Sequence, residues 1–270
     1  MTPDGQPGAI GWDDADTARF YEAFQRTHRR YQDANECLVA QAHLQGGQSV
    51  LDAAAGSGLT AEAAMAYLGR AGSIICFEPA KAMRAAGRRR VHGPAVTWVR
   101  RCPQPPKQFN RILCGAAIWQ MQPLPGTLRR LAALLAPGGC LAFNIPSLYL
   151  GHPETPGGGQ DPLLLQLPAV LADGRTGATP PAPPVRLPGA ADIDAMLVAA
   201  GLRPERWSAC RRFTQAEYRD WLKIPVLTNY LLPGCDADER ARRIDAAYAK
   251  VDAESWKWES WSGWTAWAPD

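Results

Sequence analysis

Short apolar runs alternate with segments of helical periodicity along most of this 270-residue chain. Runs of about four to eight apolar residues are typical of buried strands, and apolar residues three or four apart are typical of a helix packed on one side. Seven strands are predicted, at residues 50–52, 74–77, 96–99, 111–115, 140–144, 207–213 and 256–267. Helices are predicted at residues 59–68, 79–90, 125–135, 190–200, 215–222 and 236–251. Strands that alternate with helices indicate an α/β fold.

The segment ahead of the first strand, residues 13–42, carries aromatic residues at helical spacing, among them Tyr21 and Tyr31. We predict one or two helices here. Packing against the sheet explains most of these aromatic residues, and Tyr21 is also a candidate for the functional site.

Five tryptophans mark the end of the chain, between residues 256 and 267. Their spacing departs from strict alternation. We therefore predict a last edge strand with a bulge or bend near Gly263.

One βαβ unit, residues 50–78, carries the most specific pattern in the chain. An apolar run ends at Asp52, a turn of small residues with Gly56 and Gly58 follows, and the next apolar run ends on Glu78. Small residues let the backbone approach a ligand closely, and the turn opens a helix whose first N–H groups are free to face that ligand. An acid at the end of the second strand is placed to accept hydrogen bonds from ribose hydroxyls. A purely structural βαβ turn is the alternative.

The pattern D-x-x-x-G-x-G with a strand-end acid about 20 residues later resembles motifs I and II of the class I S-adenosylmethionine (SAM) dependent methyltransferases. Residues 135–139 (LAPGG) also look like that family's turn into strand 5. The resemblance implies a Rossmann-like, seven-stranded, mostly parallel sheet with helices on both faces and an antiparallel strand 7. It also implies N-terminal helices over the site and a cap or lid insertion after strand 5.

The expected organisation is a single domain. Residues 1–45 would form a helical segment that covers the site, and residues 46–146 and 190–270 would form the SAM-binding core. Residues 147–189 would form a substrate-side loop; within residues 151–189, 16 of 39 residues are Pro or Gly. Long irregular loops in compact domains are usually lids or disordered segments, and an inert insertion is the alternative.

The resemblance also assigns a cofactor pocket. Its candidate residues are Tyr21, Asp52, Ala53, Ala54, Gly56, Gly58, Thr60, Glu78, Pro79, Met83, Cys102, Gly115, Ala116 and Trp119. The chain departs from the family at two places. Many members have an acid near the position of Cys102 that contacts the adenine, and many have an acid where Asn110 stands. Adenine recognition would then use backbone groups or another residue.

The candidate substrate-binding residues are Trp119, Tyr149, His152 and Tyr230. Trp119 has a packing role as its alternative. A general base helps a hydroxyl acceptor, whereas a neutral amine needs none. His28 and His152 are the catalytic candidates, each with a structural or surface role as the alternative.

The expected function is therefore transfer of a methyl group from SAM to an O, N or C atom of a small molecule, with secondary metabolites among the candidates and S-adenosylhomocysteine as product. Two alternatives stay open. The chain could bind SAM without methyl transfer, as a cyclase-like or regulatory protein. Gly56, Gly58 and Ala61 also fit the G-x-G-x-x-A pattern of an NAD(P)-dependent oxidoreductase.

Composition and charge indicate which partners and which cellular compartment to expect. A net charge of +3, with basic clusters spread along the chain, argues against a nucleic-acid partner. No apolar run approaches the roughly 20 residues needed to span a bilayer, and the N-terminus does not read as a secretory signal. Seven scattered cysteines without a C-x-x-C pair favour the cytoplasm and no metal site. We expect a monomer or homodimer.

Overall fold

The computed structural model describes residues 11–151, 187–229, 232 and 234–270. Within these residues, seven strands form one sheet in the order β3-β2-β1-β4-β5-β7-β6. The strands are β1 (Ser49–Ala53), β2 (Ser73–Phe77), β3 (Val96–Val99), β4 (Phe109–Cys114), β5 (Leu135–Pro146), β6 (Arg203–Thr214) and β7 (Trp256–Trp267). Strands β1 to β5 pair in parallel, and β7 runs antiparallel to both β5 and β6. The expected Rossmann-like α/β fold is confirmed.

Apart from the short helix at residues 225–228, which was not predicted, the helices of the described residues fall close to the predicted segments. They are α1 (Ala15–Thr27), α2 (Arg30–Gln41), α3 (Leu59–Leu68), α4 (Lys81–Arg90), α5 (Leu124–Ala132), α6 (Ala190–Ala199), α7 (Gln215–Leu222), α8 (Pro225–Thr228) and α9 (Ala237–Tyr248). The predicted N-terminal segment forms two helices. No helix in the described part of the chain is both long and apolar enough to cross a bilayer.

Alternate side chains of the strands point to opposite faces of the sheet and pack into two hydrophobic cores, one on each face. Val50 and Leu113 pack with residues of α2 and α3. Leu51 and Ile112 point to the other face and pack with residues of α5 and α6. The sheet is therefore covered by helices on both faces, as the alternation of strands and helices predicts.

Side-chain caps explain why several helices begin where the sequence predicts. The Asp14 carboxylate accepts a hydrogen bond from the amide of Thr17 at the start of α1. Thr214 and Glu217 form a reciprocal capping box at the start of α7, so this prediction is confirmed. Helix α3 has the predicted bounds, and Gly69 follows its last residue.

The prediction for the last strand is wrong in two respects. Strand β7 is an inner strand between β5 and β6, and β6 is the edge strand. The pairing of β7 with both neighbours runs without a register shift, so there is no bulge near Gly263. A glycine is needed there for another reason: a Cβ atom at Gly263 would lie 2.1 Å from ring atoms of Trp207 on β6.

Some boundaries also differ from the prediction. Helix α5 ends at Ala132, and Leu135 already belongs to β5, which pairs with β4 through a register shift between Phe109 and Arg111. Strand β6 extends from residue 203 to 214 because its pairing with β7 runs along its whole length. Most of the predicted substrate-side loop lies outside the described residues.

Candidate active site

The turn between β1 and α3 has a left-handed backbone at alternate positions. Ala54, Gly56 and Gly58 have φ angles of 62°, 54° and 89°. The amide of Ala55 donates to the carbonyl of Phe77 at 2.9 Å, which fixes the turn beside the end of β2. Such a turn presents backbone N–H groups at the start of a helix, where a polar ligand binds readily.

Glu78 closes this turn from the end of β2. One carboxylate oxygen accepts a hydrogen bond from the amide of Gly56 at 2.8 Å, and the other accepts one from the amide of Ala80 at 2.8 Å. Burial raises the pKa of Glu78, and these two amides partly oppose that shift. Each oxygen keeps a further lone pair, so Glu78 can hold the turn and accept from a ligand hydroxyl at once.

Asp52 is a fully buried carboxylate beneath the turn. Within the described residues neither of its oxygens has a hydrogen-bond partner of normal geometry. Burial and then the nearby Glu78 carboxylate raise its pKa to about 8, and the amide of Ala61 offsets the shift only in part. Burying a polar group without partners is costly, so this position calls for a functional explanation.

The turn lies next to the point where the strand order reverses, between β1 and β4. Gly115, at the end of β4, packs tightly there: a Cβ atom at this position would lie 2.2 Å from the Thr60 hydroxyl and 2.4 Å from Oδ1 of Asn35. Asn144 at the end of β5 accepts from the amide of Ala116 at 2.7 Å. These contacts hold the backbone after β4 in place beside the turn.

Helix α1 and the residues before it cover this region. Gln25 accepts a hydrogen bond from the Ser57 hydroxyl at 2.7 Å, which joins α1 to the turn. The carboxylate of Asp13 accepts from the amides of Lys81 and Ala82 at the start of α4. Helix α1 and the residues before it therefore lie beside the turn and the start of α4.

The other predicted cofactor residues lie at the same end of the sheet but differ in how deeply they are buried. Ala53 is fully buried in β1, and Met83 is buried on α4 with its methyl group 3.7 Å from where a Cβ atom on Gly56 would lie. Pro79 is exposed and Cys102 is half-buried.

A small cavity of about 30 Å³ adjoins the backbone after β4. It is lined by Trp12, Tyr21, Arg30, Tyr31, Ala116, Trp119, Gln120, Pro146, Tyr149, Trp221 and Leu227. Six of these eleven residues are aromatic, so the walls are mainly apolar. The indole N–H of Trp12 donates to the side-chain oxygen of Gln120, and both residues line the cavity. The structure thus brings together Tyr21, Ala116, Trp119 and Tyr149 from the predicted set.

Arg30 is the one charged residue in the described wall of this cavity. Its Nε donates to a carboxylate oxygen of Glu259 at 2.8 Å, and Nη2 donates to the same oxygen. Burial works against the charge, but Glu259, together with Tyr31 and Tyr149, holds the pKa of the guanidinium above its usual value. Arg30 is therefore a permanent, buried cation.

The structure does not bring His28 into this cavity. His28 follows α1, and its Nε2 lies 2.8 Å from a carboxylate oxygen of Asp220 on α7. Burial alone would raise the pKa of Asp220, but hydrogen bonds from His28, Arg219 and Lys223 together lower it. This contact ties α1 to α7. His152 and Tyr230, the other candidates, lie outside the described residues.

A larger surface depression of about 490 Å³ lies at the amino end of β5, next to Gly138 and Trp267. The carboxyl ends of the parallel strands, with Glu78 and Gly115, lie at the opposite end of the sheet. Ligands of open α/β sheets bind at the carboxyl ends, so we place the candidate site there.

Sequence reasoning assigned no site role to seven residues of the cavity wall, which are Trp12, Arg30, Tyr31, Gln120, Pro146, Trp221 and Leu227. The alternation of β7 places Glu259 on the same face as the buried Trp261. The sequence therefore does indicate that Glu259 is buried and needs a partner for its charge. Nothing local identifies Arg30 as that partner, because 229 residues separate the two.

The fold and the turn at its switch point define a Rossmann-like enzyme with a nucleotide-type cofactor site. Comparisons with known proteins agree: a family model described as "Methyltransferase domain" matches residues 50–139. A trans-aconitate 2-methyltransferase from Methylobacterium nodulans is 30% identical over 228 residues, which cover 79% of this chain and 82% of the relative. The chain belongs to the class I SAM-dependent methyltransferase family.

Solved structures show the same fold at lower identity. Phosphoethanolamine N-methyltransferase 2 from Haemonchus contortus, in complex with SAM, has a TM-score of 0.57 and 16% identity, covering 97% of this chain and 61% of that one. The [4+2]-cyclase SpnF has a TM-score of 0.54 and 17% identity, covering 88% of this chain and 80% of that one. At this identity the likeness concerns the fold alone.

The residues of this chain fit the cofactor that the family implies. The Asp52 carboxylate, which lacks a hydrogen bond of normal geometry among the described residues, and the glycine turn lie on one side, and Glu78 stands at the end of β2 with free lone pairs. At Gly115 the contacts with Thr60 and Asn35 leave no room for a side chain. This set supplies hydrogen-bond acceptors for ribose hydroxyls and backbone donors at the start of α3.

Proposed function

We propose that this protein transfers the methyl group of SAM to a small-molecule acceptor bound in the aromatic cavity. One observation carries the proposal: the cofactor turn and the cavity meet at the backbone after β4. Gly115 packs against Thr60 in the first turn of α3, and Ala116, the next residue, lines the cavity. A cofactor on the turn would therefore face an acceptor in the cavity.

In this proposal Glu78 binds the ribose hydroxyls, and the turn from Ala53 to Gly58 supports the rest of the cofactor with its backbone. Asp52 adds a buried carboxylate beneath it. Tyr21, Met83, Cys102 and the other candidates named from the sequence form the remaining wall. SAM supplies an electrophilic methyl group on a positively charged sulfur.

Methyl transfer is a direct displacement. A lone pair of the acceptor forms a bond to the methyl carbon while the carbon–sulfur bond breaks, and the electron pair of that bond stays on sulfur as S-adenosylhomocysteine. The protein contributes by holding the acceptor in line and by excluding water with aromatic walls. Any proton on the attacking atom is lost to a base or to solvent.

The cavity wall favours an acceptor atom that needs no base. Among its described residues there is no histidine, aspartate or glutamate. Burial raises the pKa of both Tyr21 and Tyr31, so their hydroxyls stay protonated at neutral pH. A carboxylate oxygen is already deprotonated under these conditions.

The space inside the cavity is enough for one or two waters only. An acceptor therefore requires the wall to open, and the exposed hydrogen bond between Trp12 and Gln120 joins two residues of that wall. The Methylobacterium relative is named for trans-aconitate, so small carboxylic acids are the first acceptors to test.

Turnover distinguishes this function from SAM binding without methyl transfer. We expect S-adenosylhomocysteine and a methylated product, in equal amounts, when the protein is incubated with SAM and a panel of small carboxylic acids that includes trans-aconitate. Mass spectrometry measures both products. SAM that binds but is never consumed with any acceptor, including amines and phenols, would contradict methyl transfer.

A further inference from the structure

We propose that Arg30 and Tyr31 form the anchor that selects acceptors carrying a carboxylate. This assignment rests on the proposed function and deepens it, because it names the chemical class that the cavity takes. Its basis is the set of hydrogen-bond donors that the two side chains leave free toward the cavity.

The guanidinium of Arg30 has five N–H groups, and the described contacts use three of them. Nε and Nη2 each donate to Glu259, and Nη1 donates to the Tyr31 hydroxyl at 2.8 Å. One N–H therefore remains on each terminal nitrogen. Two neighbouring N–H groups are the arrangement that binds a carboxylate through both oxygens.

Aromatic rings cover much of the rest of the guanidinium. Its central carbon lies 4.9 Å from the ring centres of Tyr31, Phe213 and Trp221, and 5.6 Å from that of Trp261. Glu259 occupies the Nε side. Arg30 lines the cavity beside Tyr149, which also acts on its pKa, so a ligand that enters the cavity would meet the guanidinium there.

Tyr31 adds a third donor beside them. Its hydroxyl oxygen accepts hydrogen bonds from Nη1 of Arg30 and from the indole N–H of Trp221, at 2.8 and 2.9 Å. Both of its lone pairs are then in use, so its own hydrogen is left to be donated. Within the described residues no acceptor for that hydrogen is present.

The charges and donors of the cavity wall favour a carboxylate over an ammonium group or a neutral amide. A carboxylate would meet three donors and no negative group in the described lining, since Glu259 is not part of the lining. An ammonium group would meet only donors, which it cannot use, because the charge of Arg30 is already compensated by Glu259. A neutral amide could satisfy one or two donors but would forgo the charge-assisted bonds, which are roughly twice as strong as neutral ones.

The test measures binding to the protein saturated with S-adenosylhomocysteine, by calorimetry. The probes are trans-aconitate and a matched pair of similar shape, 4-hydroxyphenylacetate and 4-hydroxyphenylacetamide. We expect 4-hydroxyphenylacetate to bind at least about tenfold more tightly than its amide. Equal binding of the pair, or no binding of either carboxylate at millimolar concentration, would overturn the assignment.

Single loss of Arg30 would leave Glu259 as a buried, unpaired charge and could unfold the protein. The double variant R30M/E259L avoids this, because apolar side chains of similar size often replace a buried ion pair without loss of stability. We expect it to bind S-adenosylhomocysteine normally and to bind the carboxylate and the amide equally. A carboxylate preference that survives in this variant would overturn the assignment.

Two further variants sharpen the test. Tyr31→Phe removes one donor and should weaken carboxylate binding several-fold, and it decides the question if the double variant does not fold. Arg29→Met removes the neighbouring arginine, which is exposed and pairs only with Asp33 and Glu36 among described residues, and should change nothing.

Absence of S-adenosylhomocysteine binding by the native protein would contradict the proposed function. Binding of S-adenosylhomocysteine without a carboxylate preference would contradict the anchor alone.

Discussion

Two carboxylates at the cofactor turn, Glu78 and Asp52, differ in their hydrogen bonds and in their pKa because their surroundings differ. Glu78 accepts hydrogen bonds from two backbone amides and keeps the turn closed. Asp52, one strand away, is fully buried and has only the amide of Ala61 near it, without a hydrogen bond of normal geometry among the described residues. Both were found from the sequence, because a strand-end acid next to a glycine turn is a local pattern. Their unequal environments are a result of tertiary packing.

The raised pKa of Asp52 makes stability depend on pH. In the unfolded chain its carboxyl ionises near 3.8, and in the folded protein near 8. Between these values the folded protein holds a proton that the unfolded chain has lost. The stabilising contribution of the protonated form is therefore complete below about pH 4 and is lost as the pH rises toward 8.

Asp52→Asn removes this dependence. Without cofactor, we expect the free energy of unfolding of the native protein to fall relative to the variant by about 1 kcal/mol per pH unit between roughly pH 5 and pH 7. Urea unfolding at several pH values measures it. Asp16→Asn, an exposed aspartate paired with Arg19, is the control and should show almost no such trend. A constant difference between native protein and Asp52→Asn would refute the assignment of the shift.

At the scale of elements, β7 is where local pattern and structure diverge most. The tryptophans and Gly263 indicated an irregular edge strand, yet β7 lies inside the sheet with regular pairing on both sides. Strand order depends on which strands meet in space, and the sequence pattern of one strand does not contain it. Gly263 leaves room for the Trp207 ring on the neighbouring strand.

Gly263→Ala should therefore destabilise the protein through Trp207. We expect a loss of about 1–3 kcal/mol in the free energy of unfolding, because the new methyl group overlaps the ring. In a Trp207→Ala background the same change should cost far less, so the two substitutions should be strongly coupled. Chemical denaturation of the four proteins gives the coupling. Ser260→Ala, on the same strand, is the control. Additive effects would show that the ring is not the cause.

Helix boundaries were more predictable than strand boundaries. The capping box of Thr214 and Glu217 and the glycine after Leu68 are signals contained within a few residues, and α3 and α7 have the predicted bounds. Strand β6 extends beyond its apolar run because it pairs with β7 along its whole length. Strand β5 begins at Leu135 through pairing with Phe109 of β4, and it continues to Pro146 opposite β7.

At the scale of the whole molecule, the candidate site joins distant parts of the chain. Arg30 at the start of α2 pairs with Glu259 on the last strand, and His28 pairs with Asp220 on α7. The sequence indicated the cofactor turn, since its residues lie within one βαβ unit. It did not indicate the carboxylate anchor, whose members meet only after the sheet and its covering helices have assembled.

The central claim is that the turn between β1 and α3, closed by Glu78, binds SAM and its product. Titration calorimetry with S-adenosylhomocysteine tests it most directly, with NADH as the competing ligand and Glu78→Gln as the matched variant. We expect S-adenosylhomocysteine to bind and NADH to give no heat of binding. We expect Glu78→Gln to lose about 2 kcal/mol of binding free energy, because the charged acceptor becomes neutral and only one of its two backbone amides keeps an acceptor. Binding of NADH without binding of S-adenosylhomocysteine would contradict the claim.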